Sequence, residues 1–172
     1  MQIDRRSFEV RAAVEGNTVS GLAIPYETDS QPLPFIETIQ RGAFAADIGK
    51  RNVSLLVEHD GGRVLADTRS GTLELEETER GVTFAARLPD TRDGQDMRVL
   101  LRDGIYQNMS FGFAVDKDEW AGNRRTVVSA RLYEVSLVHT PAYEATAAAV
   151  RAFHTSTGLV ARYLRLRIGD LK

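Results

Sequence analysis

The chain has 172 residues, with 22 Lys+Arg against 24 Asp+Glu and a formal charge of −2, so no basic nucleic-acid surface and no acidic tail dominates it. At 42% hydrophobic and 27% charged residues it has the composition of a folded globular protein rather than a disordered one. It contains no cysteine, which excludes disulfides, thiolate metal sites and a cysteine nucleophile, and fits a reducing cytoplasm. The opening MQIDRRSFEV lacks a signal-peptide core, and no run of eighteen apolar residues is present to span a bilayer. Any catalysis must come from oxygen and nitrogen side chains.

In chain order, residues 7–26 alternate apolar and polar positions on both sides of Gly16-Asn17, the pattern of a hairpin. After a polar, proline-containing loop at 28–34, Ile36, Ile39, Phe44 and Ile48 are spaced for a short helix broken at Gly42. VSLLVEH at 53–59 predicts a strand closed by a Gly61-Gly62 turn, with 64–67 as a second short piece. Alternation on either side of Glu79-Arg80-Gly81 predicts another hairpin. Residues 90–104 combine an Asp/Thr start, Met97, Leu100 and Leu101 at helical spacing, and a terminal glycine, so one amphipathic helix is expected. Two strand-rich stretches follow, joined at Ala121-Gly122-Asn123 and ending at Pro141. Six or more strands with few helices predict an α+β fold, mainly an antiparallel barrel or sandwich with peripheral helices. The composition changes near residue 150, because Arg151, Arg162, Arg165, Arg167 and Lys172 face Asp170 alone in 151–172. Residues 1–150 are therefore taken as the domain, and 151–172 as a basic tail that forms a short helix docking on the body or on a partner.

Three histidines, His59, His139 and His154, are the choices for a general base near neutrality, where imidazole with its pKa of about 6.5 suits proton transfer. His59 ends an apolar strand before a glycine pair; a histidine there is also compatible with a purely structural role. Ser110 lies in QNMSFGF, and alternation puts it with Gly112 and Ala114 on a nearly bare face where a peptide backbone has room to approach a nucleophile. The competing reading is a strand serine beside a glycine bulge. Glu134, in an otherwise apolar strand, needs a partner. Either His59 supplies it, as in a hydrolase triad, or Arg131 or Arg125 does in a salt bridge. Asp60 and the Glu74, Glu76, Glu77, Glu79 cluster do not make a metal or glycosidase site, and DTRDGQD reads as a helix start rather than a calcium loop. No metal and no cofactor is expected. Trp120 and Phe111 read as core packing, with a peptide-binding shelf as the alternative.

The strings ETIQRGAF (37–44), LLVEHD (55–60), MSFGF (109–113) followed by Trp120, and LYEVSLVHTPAY (132–143) resemble the prohead (head-maturation) proteases of tailed double-stranded DNA bacteriophages. The resemblance runs over about residues 7–150. It implies a closed antiparallel barrel similar to the herpesvirus maturation proteases, and a serine endopeptidase with His59 as base and Ser110 as nucleophile. The third member falls on Glu134, with His139 as runner-up because herpesvirus relatives use a second histidine; strand parity puts the two on opposite faces. The resemblance further implies action within the assembling prohead in the host bacterial cytoplasm, on the scaffold segment of the major capsid protein and on the protease itself. It also implies a homodimer, and no nucleic acid or membrane as partner. A self-cleavage point near 145–158 and an oxyanion loop at HTPAY complete these expectations. The rival is a catalytically inactive barrel serving as a capsid-assembly or scaffold-binding module.

Overall fold

The computed structural model describes residues 2–9, 12–30 and 34–139. Among them the order is β1 (Asp4–Glu9), β2 (Ala13–Glu15), β3 (Thr18–Pro25), β4 (Ile36–Ile39), β5 (Ser54–Val57), β6 (Asp60–Asp67), β7 (Leu73–Thr78), β8 (Gly81–Arg87), α1 (Arg92–Arg102), β9 (Asn108–Ala121) and β10 (Arg124–Val138). The three hairpins expected at Gly16-Asn17, Glu79-Arg80 and Gly122-Asn123 are β2–β3, β7–β8 and β9–β10. Helix α1 starts on Thr91, whose side chain accepts the Gly94 N–H, and stops before Gly104, whose φ of 72° suits a residue without Cβ.

The strands form two sheets, β1-β9-β10-β5-β6 with β4 also on β10, and β2-β3-β8-β7. The expected closed, mainly antiparallel barrel with a few peripheral helices is therefore corrected. Closure requires the terminal strands of a sheet to hydrogen-bond each other. Here β1 and β6 end one path and β2 and β7 the other. Among the described residues there is one α-helix.

The larger sheet is also mixed, because β10 takes both β4 and β5 as parallel neighbours along different stretches. Between those stretches the turns of residues 41–50 stand in for a strand: Ala130 N–H donates to the Ala43 carbonyl, and Leu132 N–H to Asp47 Oδ2 at 2.9 Å. The helix expected around Ile36–Ile48 is accordingly absent. Ile36, Thr38 and Ile39 are β-branched and pair with β10 as strand β4, and the following residues turn.

The core lies between the sheets. Phe44 packs edge-on to Phe111 and Phe113 at 6.5 and 6.2 Å, and Val19, Ile24, Leu55, Val57, Phe84, Leu132, Val135 and Leu137 are buried with them. Phe111 is a core residue as expected. Trp120 is not: it is 55% exposed at the hairpin tip, where it meets the Phe35 ring at 5.0 Å.

A second anchor is ionic. Glu37, 1% exposed, takes Arg6 Nε on Oε1 at 2.6 Å and Arg125 Nη1 on Oε2 at 3.0 Å, tying β1, β4 and β10 together. Arg125 also meets Asp118 at 2.7 Å, and Arg131 meets Asp116 at 2.8 Å. Arg125 and Arg131, the alternative partners for Glu134, are thus engaged elsewhere. The basic tail 151–172, the boundary at 150 and His154 lie outside the described residues.

Candidate active site

Strands β9 and β10 present two kinds of face. Phe111 and Phe113 on β9 and Val135 and Leu137 on β10 turn into the core, so Ser110 and Gly112, with Glu134 and Ser136, share the other face. Ser110 pairs directly with Ser136, and Gly112 with Glu134. Simple alternation along β10 would have put Leu132 beside Glu134. A bulge between Leu132 and Glu134 leaves Tyr133 as the extra residue, so that Leu132 stays in the core and the carboxylate turns out of it.

His59 arrives from a neighbouring strand. The sequence predicts a strand running to His59 and a turn at Gly61-Gly62. Instead β5 ends at Val57, Val57 pairs with Asp60, and Glu58-His59 is itself the two-residue turn. Both residues have positive φ, 52° and 59°, the mirror-image hairpin turn that matches strand twist and usually carries Asn-Gly. The glycines sit one step later, in the stretch of β6 that bulges between the Val57–Asp60 and Leu56–Val64 pairs. Two bulky residues in this region cost about 1–3 kcal/mol each, and such strain collects at functional sites. Glu58 helps hold the turn: its Oε1 accepts the His139 N–H at 2.7 Å. Burial, and after it the neighbouring Glu58 carboxylate, pushes the Tyr106 phenol up from its ordinary value.

The turn delivers the imidazole to the carboxylate. His59 Nδ1 lies 2.6 Å from Glu134 Oε1, and Ser136 Oγ donates to Glu134 Oε2 at 2.6 Å. The Glu134 side chain is only 12% exposed, so both oxygens are satisfied inside the protein. Arg5 Nε, on β1, stands 3.7 Å from Oε1. Gly112 makes the seat: a Cβ there would lie 2.6 Å from Oε1. Ser110 is 1% exposed, and its hydroxyl donates to the Arg6 carbonyl of β1 at 2.9 Å rather than to His59.

A model of the caudovirus prohead serine protease family matches residues 2–159. The chain belongs to that family. It is thereby a protease of capsid maturation. No curated protein matches it by sequence. The solved structure of the bacteriophage T4 capsid assembly protease is similar in fold, with a TM-score of 0.58 at 9% identity over 80% of this chain and 97% of that one.

Of the residues singled out in the protease sequence, the structure brings His59 and Glu134 into contact and puts Ser110 on the adjacent strand, one pair along the same face. His139 goes elsewhere. It is exposed, its Nδ1 meets the Ile105 carbonyl at 2.8 Å, and its ring packs 5.8 Å from Tyr106. Glu134 and His139 are thus apart, and the bulge at Tyr133, which precedes both, leaves their relative parity as alternation gives it. Ser136, Gly112 and Glu58 were not singled out for what they do here. Only Ser136 carried a usable signal, as a polar residue two positions from a buried carboxylate. Thr140 to Tyr143 of the HTPAY string lie outside the described residues. Among the described residues no three His, Asp or Glu side chains converge as a metal site requires, and no helix is long and apolar enough to cross a membrane.

Proposed function

We propose that the protein is a serine endopeptidase whose triad is Ser110, His59 and Glu134. The observation that carries this reading is the 2.6 Å contact from Glu134 Oε1 to His59 Nδ1, with Ser110 on the same sheet face. Glu134 accepts a hydrogen bond from Nδ1–H, which leaves Nε2 as the basic nitrogen, and it stabilises the imidazolium that forms when His59 removes the Ser110 proton. The hydroxyl first turns from the Arg6 carbonyl to His59, a change of side-chain rotamer. Its oxygen then adds to the substrate carbonyl; His59 returns the proton to the leaving amine, and water released by the same base frees the acyl group.

The substrates proposed are the scaffold segment of the major capsid protein and the protease's own chain between the body and the basic tail. The reaction takes place inside the prohead in the host cytoplasm, with the protease as a homodimer. Co-expression of wild type, Ser110→Ala and His59→Ala with the capsid protein tests the mechanism. Mass spectrometry is expected to show processed capsid protein with wild type alone. Intact capsid protein in all three, still co-purifying with the protease chain, would establish a binding module instead.

A further inference from the structure

We infer that Ser136 is a positioning residue of the active site, acting on His59 through Glu134; the inference rests on the triad proposed above. A glutamate carboxylate rotates broadly about its last torsion, so one hydrogen bond to an imidazole does not fix its plane. Here the second oxygen is held as well. Ser136 is fully buried, and its hydroxyl donates to Glu134 Oε2 at 2.6 Å, as short as the bond from Oε1 to His59. Gly112 closes the third side, leaving the carboxylate no space to slide toward β9. The remaining charged neighbour, Arg5, is mostly exposed and 3.7 Å away, too far for a directed bond.

The backbone makes the clamp possible. Glu134 and Ser136 are two residues apart on one strand, hence on one face, and the bulge at Tyr133 sets that face opposite the core. Ser136 stands directly across from Ser110 on one side and Leu56 on the other, and an alanine would fill that space without a polar atom to satisfy. A hydroxyl there is explained by its one acceptor. By holding Oε2, it keeps Oε1 on the Nδ1 proton and the imidazole in the tautomer and orientation that a serine base needs.

The test uses the full chain and purified capsid protein. Ser136→Ala is expected to lower kcat by roughly ten- to a hundredfold, the rate equivalent of one hydrogen bond to a charged group, with KM within about twofold. It should also shift the downfield Nδ1 proton resonance of His59, which a packing role would not move. Ser136→Thr should restore both, and in a Glu134→Ala background the Ser136→Ala change should cost nothing further, because the residue acts only through the carboxylate. An unchanged kcat and resonance in folded Ser136→Ala, or its full loss repeated on top of Glu134→Ala, overturns the inference. Should Ser136→Ala not fold, Ser136→Cys decides: its thiol is only a weak donor, so wild-type kcat in that variant overturns the clamp, and a loss of kcat together with a moved Nδ1 resonance supports it. Processing that survives Ser110→Ala would instead remove the serine mechanism, and the resonance would still report the Ser136–Glu134–His59 line.

Discussion

Replacing Gly112 by alanine adds one methyl group to the most crowded point of the site. The new Cβ would lie 2.6 Å from Glu134 Oε1 and 3.1 Å from both Cδ and Cγ. Carbon and oxygen come to rest at about 3.3 Å or more, so the carboxylate must retreat by roughly 0.7 Å. Both of its hydrogen bonds are 2.6 Å long, and a retreat of that size takes the His59 bond to the end of the useful range. Losing a hydrogen bond to a charged group is worth about 1.5–3 kcal/mol, hence a fall in kcat of roughly ten- to a hundredfold. Stability changes less, because overpacking at about 1–3 kcal/mol is offset by the ~0.5–1 kcal/mol that alanine gains over glycine within a strand. The assay is capsid-protein cleavage by purified Gly112→Ala beside a thermal melt. Wild-type kcat with an unchanged or raised Tm would refute the claim that Gly112 exists to seat the carboxylate.

Glu134→Gln should lower kcat by at least about a hundredfold, since an amide does not hold the imidazole in one tautomer, whereas His139→Ala should cost less than tenfold; the two measured side by side decide the third member. Glu37→Ala leaves Arg6 and Arg125 facing each other without their buried counter-charge, and is expected to cost about 3–5 kcal/mol in chemical denaturation, against less than about 1 kcal/mol for the more exposed Asp118→Ala. Tyr26 is buried, and burial followed by its bond to Glu77 holds the phenol well above its usual value. The folded state therefore keeps that proton where the unfolded chain gives it up, so this stability is whole below about pH 10 and declines as pH rises beyond. Tyr26→Phe should flatten the alkaline limb of the stability curve, and a limb of unchanged slope would show that other groups govern it.

The hairpins were legible because their alternation and turn residues agree, and α1 because its cap, apolar spacing and terminal glycine all point the same way. Long-range pairing was not. Nothing local in residues 36–39 tells that they add to β10 in parallel, since two isoleucines three apart share a helix face and mislead toward one. Sheet closure is likewise a property of edges that meet far apart in sequence. At the site, the residues alone left His59, Ser110 and Glu134 open between structural and functional roles; the family resemblance singled them out, and the His59–Glu134 pairing stood beside Arg131 and Arg125 as alternatives. One bulge at Tyr133 reverses the parity on which the face assignment rests, and the turn is made by Glu58-His59 where the eye falls on Gly61-Gly62. Conversely, Gly112 and Ser136 look like filler until the carboxylate between them is seen.

The left-handed corner at Glu58-His59 uncouples this protein's laboratory stability from its chemistry. An Asn-Gly pair is the cheapest occupant of such a corner. His59→Gly would relieve the backbone yet leave the buried Glu134 carboxylate without its imidazole partner, a loss of about 1.5–3 kcal/mol that roughly cancels the ~1–3 kcal/mol of relief. A screen on melting temperature alone therefore passes such a variant as near neutral although it lacks the proposed base, so selection on this chain must read turnover alongside stability.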